Sequence, residues 1–396
     1  AAGEGFNDTT PAAPIGGNSG TTLGQQRLIA FQAAADIWGA TLTSTQTITI
    51  RASFEPLTCT ATTAVLGSAG AWNIWRDFAG AAKPNTWYPQ ALANKLSGSN
   101  LSAGDPVDGQ DIRARFNSRL GLFADCLPGS PFYLGLDNNH GPLVDLVTVL
   151  LHEFGHGLGF QTFTSGSTGA EFDGRPSIWD HYLYDDSLNL TWVNMTDAQR
   201  ATSSLNTGKL VWTGANVTSN VPTVLALGTP SLIVGGPAAG TAAGSYNIGT
   251  ASFGPPLSSP GVTGTLMPVV DTGTSTGLAC NPLSAANALA AVVIPTISVS
   301  QADGVALKAA LSKRTRTSSG VIATLGIDAS QYAGADTAGR ARMFAPNPFQ
   351  SGSSVSHFDT IAFPNLIMEP AINGDLIHSV VLPTDLTFQL LKDIGW

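Results

Sequence analysis

His152-Glu153-Phe154-Gly155-His156 is the stretch of this 396-residue chain whose residue types and spacing could do chemistry. Two histidines four positions apart share one face of a helix, so their ring nitrogens can converge on a single cation. Imidazole nitrogens suit zinc, which they hold at about 2.0–2.1 Å. Glu153 is rotated by about one hundred degrees from His152, beside a cation-bound water rather than on the cation. Such a water has a pKa of about 7, and the carboxylate can take its proton as the water attacks a carbonyl. With six histidines in the chain, chance would produce this pattern in about one of a thousand such sequences.

A helix must carry these residues, and the spacing predicts one over Leu143–Leu158. Val147, Leu151, Phe154 and Leu158 form its apolar stripe, and Gly159 suits the left-handed position that ends a helix. Upstream, Leu28, Phe31, Ala35 and Trp38 recur at threes and fours, predicting a helix over Gln25–Trp38 with Gly39 as its stop. Thr47–Phe54 is rich in β-branched residues and reads as a strand. Helix then strand suggests a twisted sheet backed by a helix. Residues 1–23 read as an extended polar arm, and Phe132–Leu136 as a second short strand. Residues 213–335 are poor in charge and rich in Gly, Pro, Thr and Val, with one helical stretch at Gly304–Leu311. They look like a separate β-rich module. The last segment regains aromatics and ends in a helical run, Thr384–Ile394.

Two histidines do not complete a catalytic zinc site, which takes three protein ligands plus water. Gly159 sits where metzincins carry the glycine of the turn after the helix. A third histidine usually follows three residues later, but here that position is Thr162. His140, His181, His357 and His378 remain, with Glu171 and Asp180 as carboxylate options. Spacing alone leaves them open.

The segment Ser356-His357-Phe358-Asp359, followed by Asn365-Leu366-Ile367-Met368-Glu369-Pro370, resembles the leishmanolysin family of zinc metallopeptidases. The ending, Leu386 to Trp396, is similar to that family's closing helix. The resemblance covers the helix motif and about the last fifty residues, and implies an α+β, metzincin-like catalytic domain. It makes His357 the third ligand and Met368 the methionine of a turn beneath the metal. His181 and Asp180, 25 and 24 residues after His156, stay as the alternative third ligand. The insertion is similar to protease-associated domains at Leu278–Pro282 and Ile294–Gly304, although only about a dozen residues separate these two stretches where such domains carry many more. The implied organisation is residues 1–212 and 336–396 as two parts of one catalytic domain, split by the insert at 213–335.

Composition narrows the setting. Charged residues make up 11% of the chain and the net charge is −9, so no basic footprint for nucleic acid exists. Hydrophobic residues make up 43%, yet no apolar run reaches the roughly 20 residues of a membrane span. Cys59 and Cys126 are expected to pair in an oxidising compartment, leaving Cys280 without a partner. The N-terminus reads as the mature end of a secreted protein after removal of a signal peptide. Asp105, Asp108, Asp137 and Asp173 lie in loops that suit calcium, without the spacing of a calcium loop. The expectation is a secreted, monomeric zinc endopeptidase acting on proteins or peptides, with Glu153 as base. The alternatives are a non-catalytic binding or adhesion protein on the same scaffold, or a zinc hydrolase of non-protein substrates.

Overall fold

The N-terminal segment is packed rather than an extended arm. Phe6 meets Phe31 and Phe54 edge-on at 5.5 and 5.3 Å, and Arg27 pairs with Asp8 at 2.9 Å. The structure, a computed structural model, describes residues 4–104, 109–246, 248–250, 257–267, 297–299, 301–315 and 317–396. It is a mixed α/β protein with several small sheets and, among the described residues, seven α-helices.

The first helix, α1 (Leu23–Thr41), is opened by the Thr22 hydroxyl, which accepts from the Gln25 amide at 3.3 Å. It runs through Gly39 to Thr41, so that glycine does not stop it. The cost of one glycine near a helix end is only about 1 kcal/mol, and past it the Leu42 amide still donates to the Trp38 carbonyl at 2.9 Å. Strands β1 (Ile50–Glu55) and β2 (Gly67–Ala71) follow, then α2 (Gln90–Ser97) and β3 (Ile112–Asn117). β3 is central: it pairs parallel with β1, Ile50 opposite Ile112, and antiparallel with β2, Ala71 opposite Ile112. β2 is therefore one edge of this sheet, and β1 the other. Alternation along β3 buries Ile112, Ala114 and Phe116 and leaves Arg113 outward. The sequence of β2, Gly-Ser-Ala-Gly-Ala, carries no bulk, which lets a helix approach closely.

That helix is α3 (Leu146–Leu158), and all thirteen of its residues are buried. The apolar stripe understates it, because the sheet, α1 and the C-terminal segment enclose it on every side. Asp145 caps it, accepting from the Thr148 amide at 2.7 Å, and Gly159 closes it at φ +124°. Phe154 meets Phe31 at 4.9 Å, and the Trp38 indole donates to the Leu151 carbonyl at 3.2 Å. Beyond lie α4 (Asp197–Ser203), β4 (Leu210–Trp212) and α5 (Ala215–Val224).

The chain divides into two compact units, residues 1–225 with 334–396, and residues 226–333. The shift in composition near 213 is not the boundary. α5 belongs with the first unit because Asp393 holds its start, accepting from the amides of Asn216 and Val217 at 2.8 and 3.2 Å. The second unit contains β5 (Leu227–Gly235), β6 (Gly244–Tyr246), β7 (Val262–Thr265), α6 (Gln301–Ala310) and β8 (Ile322–Tyr332). Its sheet runs β6-β5-β8-β7, over a core that includes Leu232, Val234, Leu307 and Val321. Cys280 and the stretch Leu278–Pro282 lie outside the described residues. The closing helix, α7 (Thr387–Ile394), starts three residues later than its predicted Thr384.

Among the described residues, no helix is long and apolar enough to cross a membrane. Cys59 and Cys126 form a disulfide.

Candidate metal centre

α3 presents His152 and His156 one turn apart on one face, and each ring is held from behind. His152 Nδ1 donates to the Ile367 carbonyl at 2.7 Å, and His156 Nδ1 to the Phe160 carbonyl at 2.8 Å. A carbonyl can only accept, so both Nδ1 atoms carry the proton and both Nε2 atoms carry a lone pair. His357 arrives from the C-terminal segment under the same rule, its Nδ1 donating to the Ser353 carbonyl at 2.7 Å. The turn after α3 helps to dock this segment, with the Thr162 amide donating to the Ser356 hydroxyl at 3.2 Å.

The three Nε2 atoms form a small triangle. His152 to His156 is 3.2 Å, His156 to His357 is 3.2 Å, and His152 to His357 is 3.3 Å. Since every Nε2 is unprotonated, none of these contacts is a hydrogen bond. Ligands about 2.0–2.1 Å from a tetrahedral zinc stand roughly 3.3–3.4 Å apart, so the triangle has the edge lengths of one face of such a tetrahedron. Burial keeps the rings neutral, pushing His152 down to about 4 and, together with the neighbouring His152, His156 to about 3; His357 falls well below its ordinary value for the same reason. The buried group His152, His156 and His357 could therefore hold a metal ion.

Glu153 is buried against β2. A Cβ placed on Gly67 would lie 2.7 Å from its Oε1, so glycine there is what gives the carboxyl its place. Burial raises the Glu153 carboxyl to about 8, opposed by the Ala69 amide that donates to it. A cation at the histidines would draw it down again. Met368 is fully buried under α3; a Cβ on Gly155 would lie 2.8 Å from its Sδ. Gly159 is needed twice over, for its positive φ and because a Cβ would meet Pro89 and Ile394, each at 2.9 Å.

The remaining candidates are engaged elsewhere. The Asp180 carboxylate accepts from the hydroxyls of Thr162 and Thr164 at 2.6 and 2.7 Å and from the Ser177 amide at 2.8 Å. It braces the turn after α3 rather than reaching the triangle. His181 Nε2 lies 3.1 Å from the Thr86 hydroxyl, Glu171 pairs with Arg200 at 3.1 Å, and His140 Nδ1 meets the Leu143 carbonyl at 2.8 Å. His378 contacts the α3 cap, its Nε2 lying 2.8 Å from Asp145 Oδ1. Asp105 and Asp108 lie outside the described residues, and Asp137 accepts from the Tyr133 hydroxyl at 2.6 Å. Among the described residues, the three histidines are the one close group of three or more metal-ligating side chains.

Sequence reasoning missed Glu369 and Asp385, buried acids beneath the Met368 turn. No spacing rule marks them, because both act on backbone amides. No family model, curated protein or solved structure matches the chain.

Proposed function

We propose that this protein is a zinc-dependent endopeptidase of leishmanolysin-like, metzincin type, exported to an oxidising compartment. The observation that carries the reading is the Nε2 triangle of His152, His156 and His357, with Glu153 next in sequence to one of its members. Three lone pairs aimed at one buried point repel one another, and a cation relieves that repulsion. Neutral imidazoles favour zinc over calcium or magnesium, which prefer oxygen.

When bound, zinc supplies Lewis acidity, polarising a carbonyl and bringing water's pKa to about 7. His152, His156 and His357 would hold it, each fixed in rotation by its carbonyl partner. Glu153 takes the proton of the attacking water as the oxygen–carbon bond forms. It then gives that proton to the departing nitrogen as the carbon–nitrogen bond breaks, leaving a carboxylic acid and an amine. The Ala69 amide of β2 keeps the carboxyl aimed during both transfers.

A peptide substrate is supported by β2 itself. An edge strand beside the base offers backbone groups along which an extended chain can lie. The Cys59–Cys126 disulfide supports an oxidising compartment. The insert at 226–333 is read as a non-catalytic, protease-associated module.

Zinc-loaded protein should degrade casein, and a zinc chelator should stop it. Glu153→Ala should keep its zinc while losing about 10²-fold or more of the activity. A zinc-replete wild type that cleaves no protein overturns the peptidase reading.

A further inference from the structure

We propose that Asp385 is a positioning residue for the metal seat, holding the Ile367 segment whose carbonyl orients His152. This rests on the metal part of the reading above and not on peptide hydrolysis.

The turn 366–369 touches both segments that carry ligands. Its Ile367 carbonyl accepts from His152 Nδ1 at 2.7 Å, and its Met368 carbonyl accepts from the amide of Phe358, next to His357, at 2.9 Å. Its Met368 side chain lies against Gly155, between the two histidines of α3. A small displacement of this one turn would therefore misaim His152 and His357 together.

Two carboxyl groups hold the turn from the other side. Glu369 Oε1 accepts from the Leu366 amide at 2.7 Å. Asp385 reaches across 18 positions, its Oδ2 accepting from the Ile367 amide at 2.7 Å and its Oδ1 from the Thr387 amide at 2.6 Å. Asp385 thus ties the turn to the first residue of α7, a rigid and buried element. Asp385 is 2% exposed. Burying a carboxyl group is costly unless hydrogen bonds compensate it, and a turn amide left to water would need none. Placing an acid here exchanges that cost for a fixed position of the Ile367 carbonyl. Groups that orient a metal-bound histidine through its second nitrogen commonly change metal affinity by about 10–100-fold.

The test is zinc affinity of the full chain, measured by competition with a chromogenic chelator, with far-UV circular dichroism of the metal-free protein alongside. Asp385→Ala should weaken zinc binding about 10–100-fold while the metal-free protein stays folded. Asp393→Ala is the control: it removes a carboxylate of the same helix that accepts from Trp212, Asn216 and Val217 and touches no ligand-bearing segment. It should lower stability and leave zinc affinity unchanged. If Asp385→Ala does not fold, Asp385→Asn, with one oxygen for two amides, should still weaken zinc about threefold or more. Wild-type affinity in the folded Asp385 variant, or an equal loss in Asp393→Ala, overturns the proposal. A wild type that binds no zinc removes the seat itself, which is a distinct result.

Discussion

Three imidazole lone pairs brought within 3.3 Å of one another are unfavourable unless something positive sits between them. The fold accepts this arrangement by locking each ring through its other nitrogen, so that the rings cannot turn away. His357 is the test of that logic, because it alone comes from outside the helix. His357→Ala should abolish stoichiometric zinc binding, whereas His181→Ala, which removes a contact with Thr86 and no member of the triangle, should keep it. Zinc content after gel filtration decides this; full metal in the His357 variant refutes the assignment. Glu153 belongs to the same argument, since its place beside β2 exists only because residue 67 lacks a side chain.

α3 contains glycines where helix propensity would favour alanine by about 1 kcal/mol. The reason lies in its neighbours. A Cβ on Gly157 would stand 2.3 Å from Ile112 Cγ2 on the central strand, and one on Gly155 would press on Met368. The helix is thus set so close to the sheet and to the turn that it has no room for methyl groups, and this depth is what encloses the histidines. Gly157→Ala should destabilise the protein by about 1–3 kcal/mol in urea unfolding, against the direction of propensity. An equal or higher unfolding midpoint would show that the contact is looser than described.

The first unit is assembled from both ends of the chain, and the metal seat lies wholly within it, on α3 and on the segment after residue 334. The insert leaves and returns through paired strands: Leu227 faces Tyr332, and the Ala333 amide donates to the Ala226 carbonyl at 2.9 Å. Antiparallel partners stand about 5 Å apart, a gap that a two-residue turn closes. Replacing residues 228–331 by Asn-Gly should therefore leave a folded protein with wild-type zinc affinity. Loss of zinc by a folded deletion variant would mean that the insert supports the seat.

His152, Glu153, His156 and the glycine that ends their helix were legible in the linear order of residues. A helix sets the geometry of residues four apart by itself. The stripe expected for α1 was only partly right: Trp38 is buried, but Leu28 is 56% exposed and the buried face runs through Ala30 and Ala34, while β3 carried no signal read from the sequence. His357 needed a resemblance, because 201 positions separate it from His156 and no local rule spans that distance. The limits of the insert were blurred for a related reason: composition registers charge and glycine content, whereas the boundary follows the packing of α5 on α7. Least legible were the groups that aim the site. The carbonyls of Ile367, Phe160 and Ser353 carry no residue identity, since every residue has one, and Asp385 meets a backbone amide that any residue but proline could offer. Whether such groups meet is set by how distant segments pack, and that appears only once the chain is folded.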